Sequence, residues 1–160
     1  MSSRYRLVAL VGLVLLGAAI AGIFVLMGDD EGPPAADDAR AYLAAWEEGD
    51  YAGMQERVLD APTSFDATHQ QIVDNLEITS SSYELGEVDA SGDSAIARFT
   101  ARLQLDGLGE WSYEGALSMS LADGDRWFVD WTPAAIHPKL RSDQTLTRTR
   151  EVPPPRKRAR

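Results

Sequence analysis

Cysteine is absent from this 160-residue chain, which excludes a disulfide framework, a lipid-bearing cysteine anchor and any zinc site built on thiolates. Histidine is nearly absent too: His69 and His137 lie far apart and offer no metal-ligand spacing, so neither a metal nor a cofactor is expected. Basic residues are scarce in the body of the chain. Residues 29–138 carry 23 acidic and 5 basic side chains, net −18, whereas residues 139–160 carry 8 basic and 2 acidic, net +6. A nucleic-acid-binding surface needs clustered Lys and Arg, so the acidic body excludes nucleic acid as a partner. The end of the chain, RTREVPPPRKRAR, is expected to belong to a solvated, disordered basic tail over residues 141–160, with acidic lipid or polymer as the alternative contact.

Charge is missing from one long stretch. Leu7 to Met27 is an unbroken run of 21 apolar or glycine residues, which as a helix rises about 31 Å and matches the hydrocarbon thickness of a bilayer. Arg4 and Arg6 precede it in the stub 1–6, and Asp29, Asp30 and Glu31 follow. The positive-inside rule then predicts a single-pass membrane anchor over 7–27, with the N-terminus cytoplasmic and the rest of the chain outside the cell. A cleaved signal peptide is the rival reading, because PPAADDA offers small residues, but the run exceeds the roughly 7 to 15 apolar residues of such a segment. The small-residue pairs Gly17/Ala21 and Ala18/Gly22 would let two such helices pack closely.

Residues 28–36, GDDEGPPAA, read as a polar, proline-bearing linker. Beyond it, Asp37 or Asp38 can cap a helix through Glu48 whose apolar residues Ala39, Tyr42, Leu43 and Trp46 recur at helical spacing. Gly49 stops it, and Asp50 can cap a short second helix over 51–59. A third helix, about 64–75 after the breaker Pro62, places Phe65, Ile72, Val73 and Leu76 on one side. From residue 79 onward the period changes to two. SYELGEVD, SAIARFTARLQL, GEWSYEGALSMSL and RWFVDW are strand-like and separated by turns at DASGDS, DGLGE and ADGD. In the second, Ile96, Arg98, Thr100, Arg102 and Gln104 share one face and Ala95, Ala97, Phe99, Ala101, Leu103 and Leu105 the other. Three helices followed by four meandering strands predict an α+β domain over residues 37–140, with the helices on one face of a curved antiparallel sheet.

Two stretches carry a family likeness. YLAAWEEGDYAGM, Tyr42 to Met54, and WFVDWTPAAIHPKL, Trp127 to Leu140, together resemble the NTF2-like N-terminal domain of MecA-type class B penicillin-binding proteins, particularly actinobacterial ones. The resemblance implies a cone-shaped, membrane-anchored, non-catalytic module that serves peptidoglycan synthesis or the β-lactam response by holding a transpeptidase away from the membrane. It implies that the Ile-His-Pro corner ends the sheet and hands the chain onward. In physical terms, Pro133 and Pro138 remove backbone donors, while Trp127, Phe128 and Trp131 bury area against the helices. Trp127 and Trp131, four apart in a period-2 strand, would share the core face. The corner set is therefore Trp127, Trp131, Pro133, Ile136, His137 and Pro138. Family members continue into a transpeptidase with Ser-x-x-Lys, Ser-x-Asn and Lys-Thr-Gly motifs, none of which occurs in this sequence. The chain is thus expected not to acylate penicillin. Its Arg/Pro-rich ending suggests a truncated or split gene product, a stand-alone anchored domain being the other option.

No catalytic residue is expected. His137 reads as a corner histidine bonded to nearby backbone, and His69 as solvent-facing. Glu87, Asp89, Ser91 and Gly92 resemble the start of an EF-hand loop, but Arg98 stands where the bidentate glutamate is required, so a hairpin turn is expected there. The alternatives are a small-ligand binder or isomerase-type enzyme drawing a carboxylate and tyrosine pair from Tyr42, Tyr51, Asp74, Glu77, Tyr83 and Tyr113, and an accessory subunit of an envelope complex. Partners implied by the leading reading are the membrane and a transpeptidase or other cell-wall protein.

Overall fold

Alanine-rich sequence favours helix, and the first helix, α1 (Ala35–Glu48), buries Ala35, Ala39, Tyr42, Leu43 and Trp46 along one stripe. In the computed structural model, which describes residues 34–149, α1 begins inside the stretch expected as linker, and Ala35 is fully enclosed. The expected anchor 7–27 and stub 1–6 lie outside the described residues, among which no helix is long and apolar enough to cross a membrane. Neither expected aspartate caps α1. Asp37 pairs with Arg40 at 2.6 Å, and the Asp38 carboxylate accepts the backbone N–H of Trp127 at 3.0 Å, tying the helix to the last strand instead.

At the other end Gly49 turns the chain with φ 71°. Its N–H donates to Trp46 O and that of Asp50 to Ala45 O, the paired bonds of a Schellman stop. Asp50 caps α2 (Tyr51–Gln55) by accepting from Gly53 N at 3.0 Å. A side chain at Gly53 would collide with that carboxylate, since a Cβ there would sit 2.3 Å from Asp50 Oδ2. The helix is shorter than expected because the next residues are captured by the sheet: Leu59 N donates to Val129 O and Val129 N to Arg57 O.

After α3 (Phe65–Leu76), Glu77 reverses the chain with a left-handed φ of 53° and leads into β1 (Ile78–Ser91). β2 (Ser94–Leu105), β3 (Gly109–Ala122) and β4 (Arg126–Val129) complete an antiparallel meander in the order β1-β2-β3-β4. The inner face of β2 is enclosed and its outer face exposed, in the expected alternation. The EF-hand-like stretch is indeed a hairpin turn, Gly92 and Asp93 joining the Ser91 and Ser94 pair. A register shift between the Leu85 and Val88 pairs bends β1, which helps curl the sheet around the helices. Phe99 lies across β3 where Gly115 pairs with it, and a Cβ at Gly115 would stand 2.3 Å from the Phe99 ring. The aromatic and the glycine are therefore one packing unit.

Two differences remain at the C-terminal end. β4 stops at Val129, so Trp131 lies beyond the ladder and is only partly buried, whereas Trp127 is enclosed. Phe128, on the opposite side of the strand, is buried but is not part of the core under the helices; the Arg126 guanidinium lies 5.1 Å from its ring centre. The tail is not free over its first part. Residues 141–149 run along the domain, with Leu146 packed on the core, Asn75 Nδ2 donating to Leu146 O at 3.2 Å, and Arg148 paired with Glu77 and donating to Asp106 O at 2.8 Å.

Candidate functional site

Two places bring together the residues on which a function can rest: the corner after β4 and the interior between α3 and the sheet. At the corner, Thr132 is extended and Pro133 begins α4 (Pro133–Ile136), where its missing N–H costs nothing. Ile136 and Leu140 are buried, and the Tyr113 hydroxyl donates to Ile136 O at 2.6 Å. His137 lies over Trp111, ring centres 5.5 Å apart, and its Nδ1 accepts the Lys139 N–H at 3.2 Å. Partial burial, with Lys139 nearby, holds its imidazole below the ordinary range. The histidine is bonded to neighbouring backbone, and no carboxylate among the described residues contacts it. Trp111, the ring beneath it, was not in the expected set; its alternation with Tyr113 on β3 was the available signal.

His69 overturns the expectation of a solvent-facing side chain. It is 2% exposed. The reason is helical geometry: residue 69 stands four after Phe65 and three before Ile72, on the same stripe. Its ring is surrounded by Phe65, Trp46, Tyr51 and Trp131, with centres 4.4, 5.7, 5.5 and 5.8 Å away. Nδ1 lies 2.8 Å from Phe65 O, which as a carbonyl can only accept, so Nδ1 carries the proton and Nε2 holds a lone pair. That Nε2 is buried without a partner among the described residues, as are Tyr42 Oη and Trp131 Nε1.

Burial lowers the His69 pKa, against the raising influence of the Phe65 carbonyl and the Asp66 charge. The unfolded chain therefore binds a proton near the ordinary value of 6.5 while the folded chain stays neutral to lower pH. The resulting stability is complete above that value and is lost as pH falls below it, with a slope of at most about 1.4 kcal/mol per pH unit until the folded-state pKa is reached. His69→Phe is expected to remove this component. Urea midpoints compared between pH 7 and 5 test it, and parallel profiles for the two proteins would contradict a neutral, buried His69.

The six residues considered for a carboxylate and tyrosine pair do not assemble in the interior. Glu77 is occupied by Arg148, and Asp74 accepts from Gln70 at 3.0 Å. Tyr51 lies near Asp74 and Asp66, whose charges add to burial in raising its pKa, but it borders an open groove. Tyr42, Tyr83 and Tyr113 have their hydroxyl pKa values raised by burial. Tyr83, Tyr113 and His69 border an internal cavity of about 20 Å³, together with Trp46, Leu103 and Leu146. Ligand sites run from roughly 300 to 1,000 Å³, and this cavity has room for about one water. Two depressions of about 550 and 580 Å³, one between the end of α1 and β1 and one on the outer face of the sheet, are open to solvent. None of the unpartnered buried polar atoms belongs to a residue lining either.

Comparison with known proteins gives one family. The profile of the NTF2-like N-terminal transpeptidase domain (MecA N-terminal) matches residues 34–144. Comparison with curated proteins finds no match. Similar solved structures include a SEC-C motif containing protein from Rhodopseudomonas palustris (17% identity, 62% of this chain and 79% of that one, TM-score 0.48). They also include a protein assigned as a ketosteroid isomerase from Shewanella frigidimarina (16%, 61% and 90%, TM-score 0.47). A third is an LEH-like epoxide hydrolase from M. tuberculosis (14%, 66% and 85%, TM-score 0.43).

Proposed function

Because the chain belongs to the family of NTF2-like N-terminal transpeptidase domains, we propose that it is a non-catalytic spacer, held at the outer face of the cell membrane by residues 7–27, that positions a cell-wall transpeptidase. The observation that carries this reading is the fastening of the chain where it leaves the sheet. A spacer must fix the direction in which the chain departs, and here residues 133–148 are held by the Tyr113 bond to Ile136 O, the His137 stack on Trp111, buried Leu140, the Asn75 bond to Leu146 O and the Arg148 contacts. The filled interior supports it too, since a cavity of about 20 Å³ admits no substrate. So does the absence of Ser-x-x-Lys, Ser-x-Asn and Lys-Thr-Gly from the sequence.

Membranes containing the full chain, treated with fluorescent penicillin and then cross-linked, test the reading. The chain itself should stay unlabelled and should capture a penicillin-labelled protein. Stoichiometric labelling of the chain, or cross-linking that captures no labelled partner, would sink the proposal. Protease added to intact protoplasts should remove the domain, whereas digestion only after lysis would refute the topology.

A further inference from the structure

Leu146 borders the small interior cavity although it belongs to neither the sheet nor the helices that form the other walls. The segment around it is fastened at a few points: Arg141 and Gln144 bond to each other, Asn75 Nδ2 holds Leu146 O, and Arg148 meets Glu77 and Asp106 O. The cavity behind it is lined by the aromatic residues Trp46, Tyr83 and Tyr113 and by His69, whose Nε2 is buried without a partner among the described residues. With Nδ1 donating to Phe65 O, that nitrogen can only accept a hydrogen bond. An enclosed acceptor left unpaired carries a desolvation cost that a donor would relieve.

We propose that residues 141–149 form a strap whose Leu146 plugs a latent ligand site, and that the site takes a small aromatic molecule bearing one hydroxyl. Leucine and a single ring are of similar size; apolar cavities of about 150 Å³ take up benzene. The ring would replace the leucine against Trp46, Tyr83 and Tyr113, and the hydroxyl would donate to His69 Nε2. Ligand and Leu146 exclude each other, so whatever favours the ligand lifts the strap, and whatever pulls the strap away opens the site. The inference goes beyond the spacer reading, and its test does not involve penicillin or a transpeptidase partner.

The probes are 4-fluorophenol and 4-fluoroanisole, which differ in the donor, observed by fluorine NMR with the full chain in nanodiscs. Comparing the two probes removes their shared partition into lipid. The Leu146→Ala protein should bind 4-fluorophenol saturably and about three- to tenfold more tightly than 4-fluoroanisole, the worth of one net hydrogen bond. Adding His69→Phe should abolish the preference. Arg148→Ala, which loosens the strap without touching the cavity, should bind 4-fluorophenol several-fold more tightly than the unaltered chain. Absence of saturable binding by a folded Leu146→Ala protein, or equal affinity for the two probes, would overturn the proposal. If Leu146→Ala does not fold, an affinity of Arg148→Ala no greater than that of the unaltered chain overturns it equally.

Discussion

Replacing Trp46 by alanine is expected to cost about 3–5 kcal/mol, the range for deleting a large enclosed aromatic. Trp46 is 7% exposed and stands where three layers meet. Its ring stacks on Tyr83 of β1 at 4.2 Å and 17°, and meets Phe99 of β2 edge-on at 5.9 Å, Tyr42 of its own helix at 6.2 Å and His69 of α3 at 5.7 Å. Such pairs add to the area term, so the loss belongs at the upper end of the range. Against a typical total stability of about 5–15 kcal/mol, it would bring the domain close to unfolding. Near-UV circular dichroism of the full chain in detergent, followed through a urea series, should show the midpoint fall sharply or the transition vanish. A midpoint within error of the unaltered chain would mean that α1 does not pack on the sheet as described.

That cluster also indicates how far local sequence determines this fold. β2 and β3 were legible to the residue or nearly so, because their faces alternate strictly and glycine turns bound them. The Gly49 stop was legible because a left-handed residue must follow α1 and glycine adopts that conformation freely. What was not legible depends on partners distant in sequence. Residues 57–59 looked helical, yet Val129 draws them into pairing with β4. Ile78 to Ser81 carry serines and a threonine that suit an edge strand as well as a loop, so β1 began earlier than expected. His69 was misplaced because polarity was weighed above position on the helix. The strap was invisible for a related reason: in a segment of high charge and no periodicity, only Leu146 makes an apolar contact with the core, and one leucine is not a pattern. The interior site inherits these gaps, since His69 and Leu146 are two of its walls.

The corner offers a ranking that distinguishes a joint from an active site. Trp127 is 5% exposed and belongs to the core under the helices, so Trp127→Ala is expected to cost about 3–5 kcal/mol. Trp131 lies beyond the ladder but still meets Phe65 at 5.3 Å and His69 at 5.8 Å. Being only partly buried, it recovers less hydrophobic area, and its unpartnered Nε1 already carries a desolvation cost that the substitution would lift. Trp131→Ala should therefore cost about 2–3 kcal/mol, less than full enclosure would give. His137→Ala loses one hydrogen bond to Lys139 N and the stack on Trp111, which together should amount to about 1 kcal/mol. Urea melts of the three variants in the full chain should thus fall in the order Trp127, Trp131, His137. A catalytic corner predicts a different pattern, in which the histidine variant keeps its stability while a measurable turnover disappears and the tryptophans tolerate replacement. An unchanged melt for Trp127→Ala would refute the joint, because the ring that anchors β4 beneath α1 would then be contributing nothing to holding the chain where it leaves the sheet.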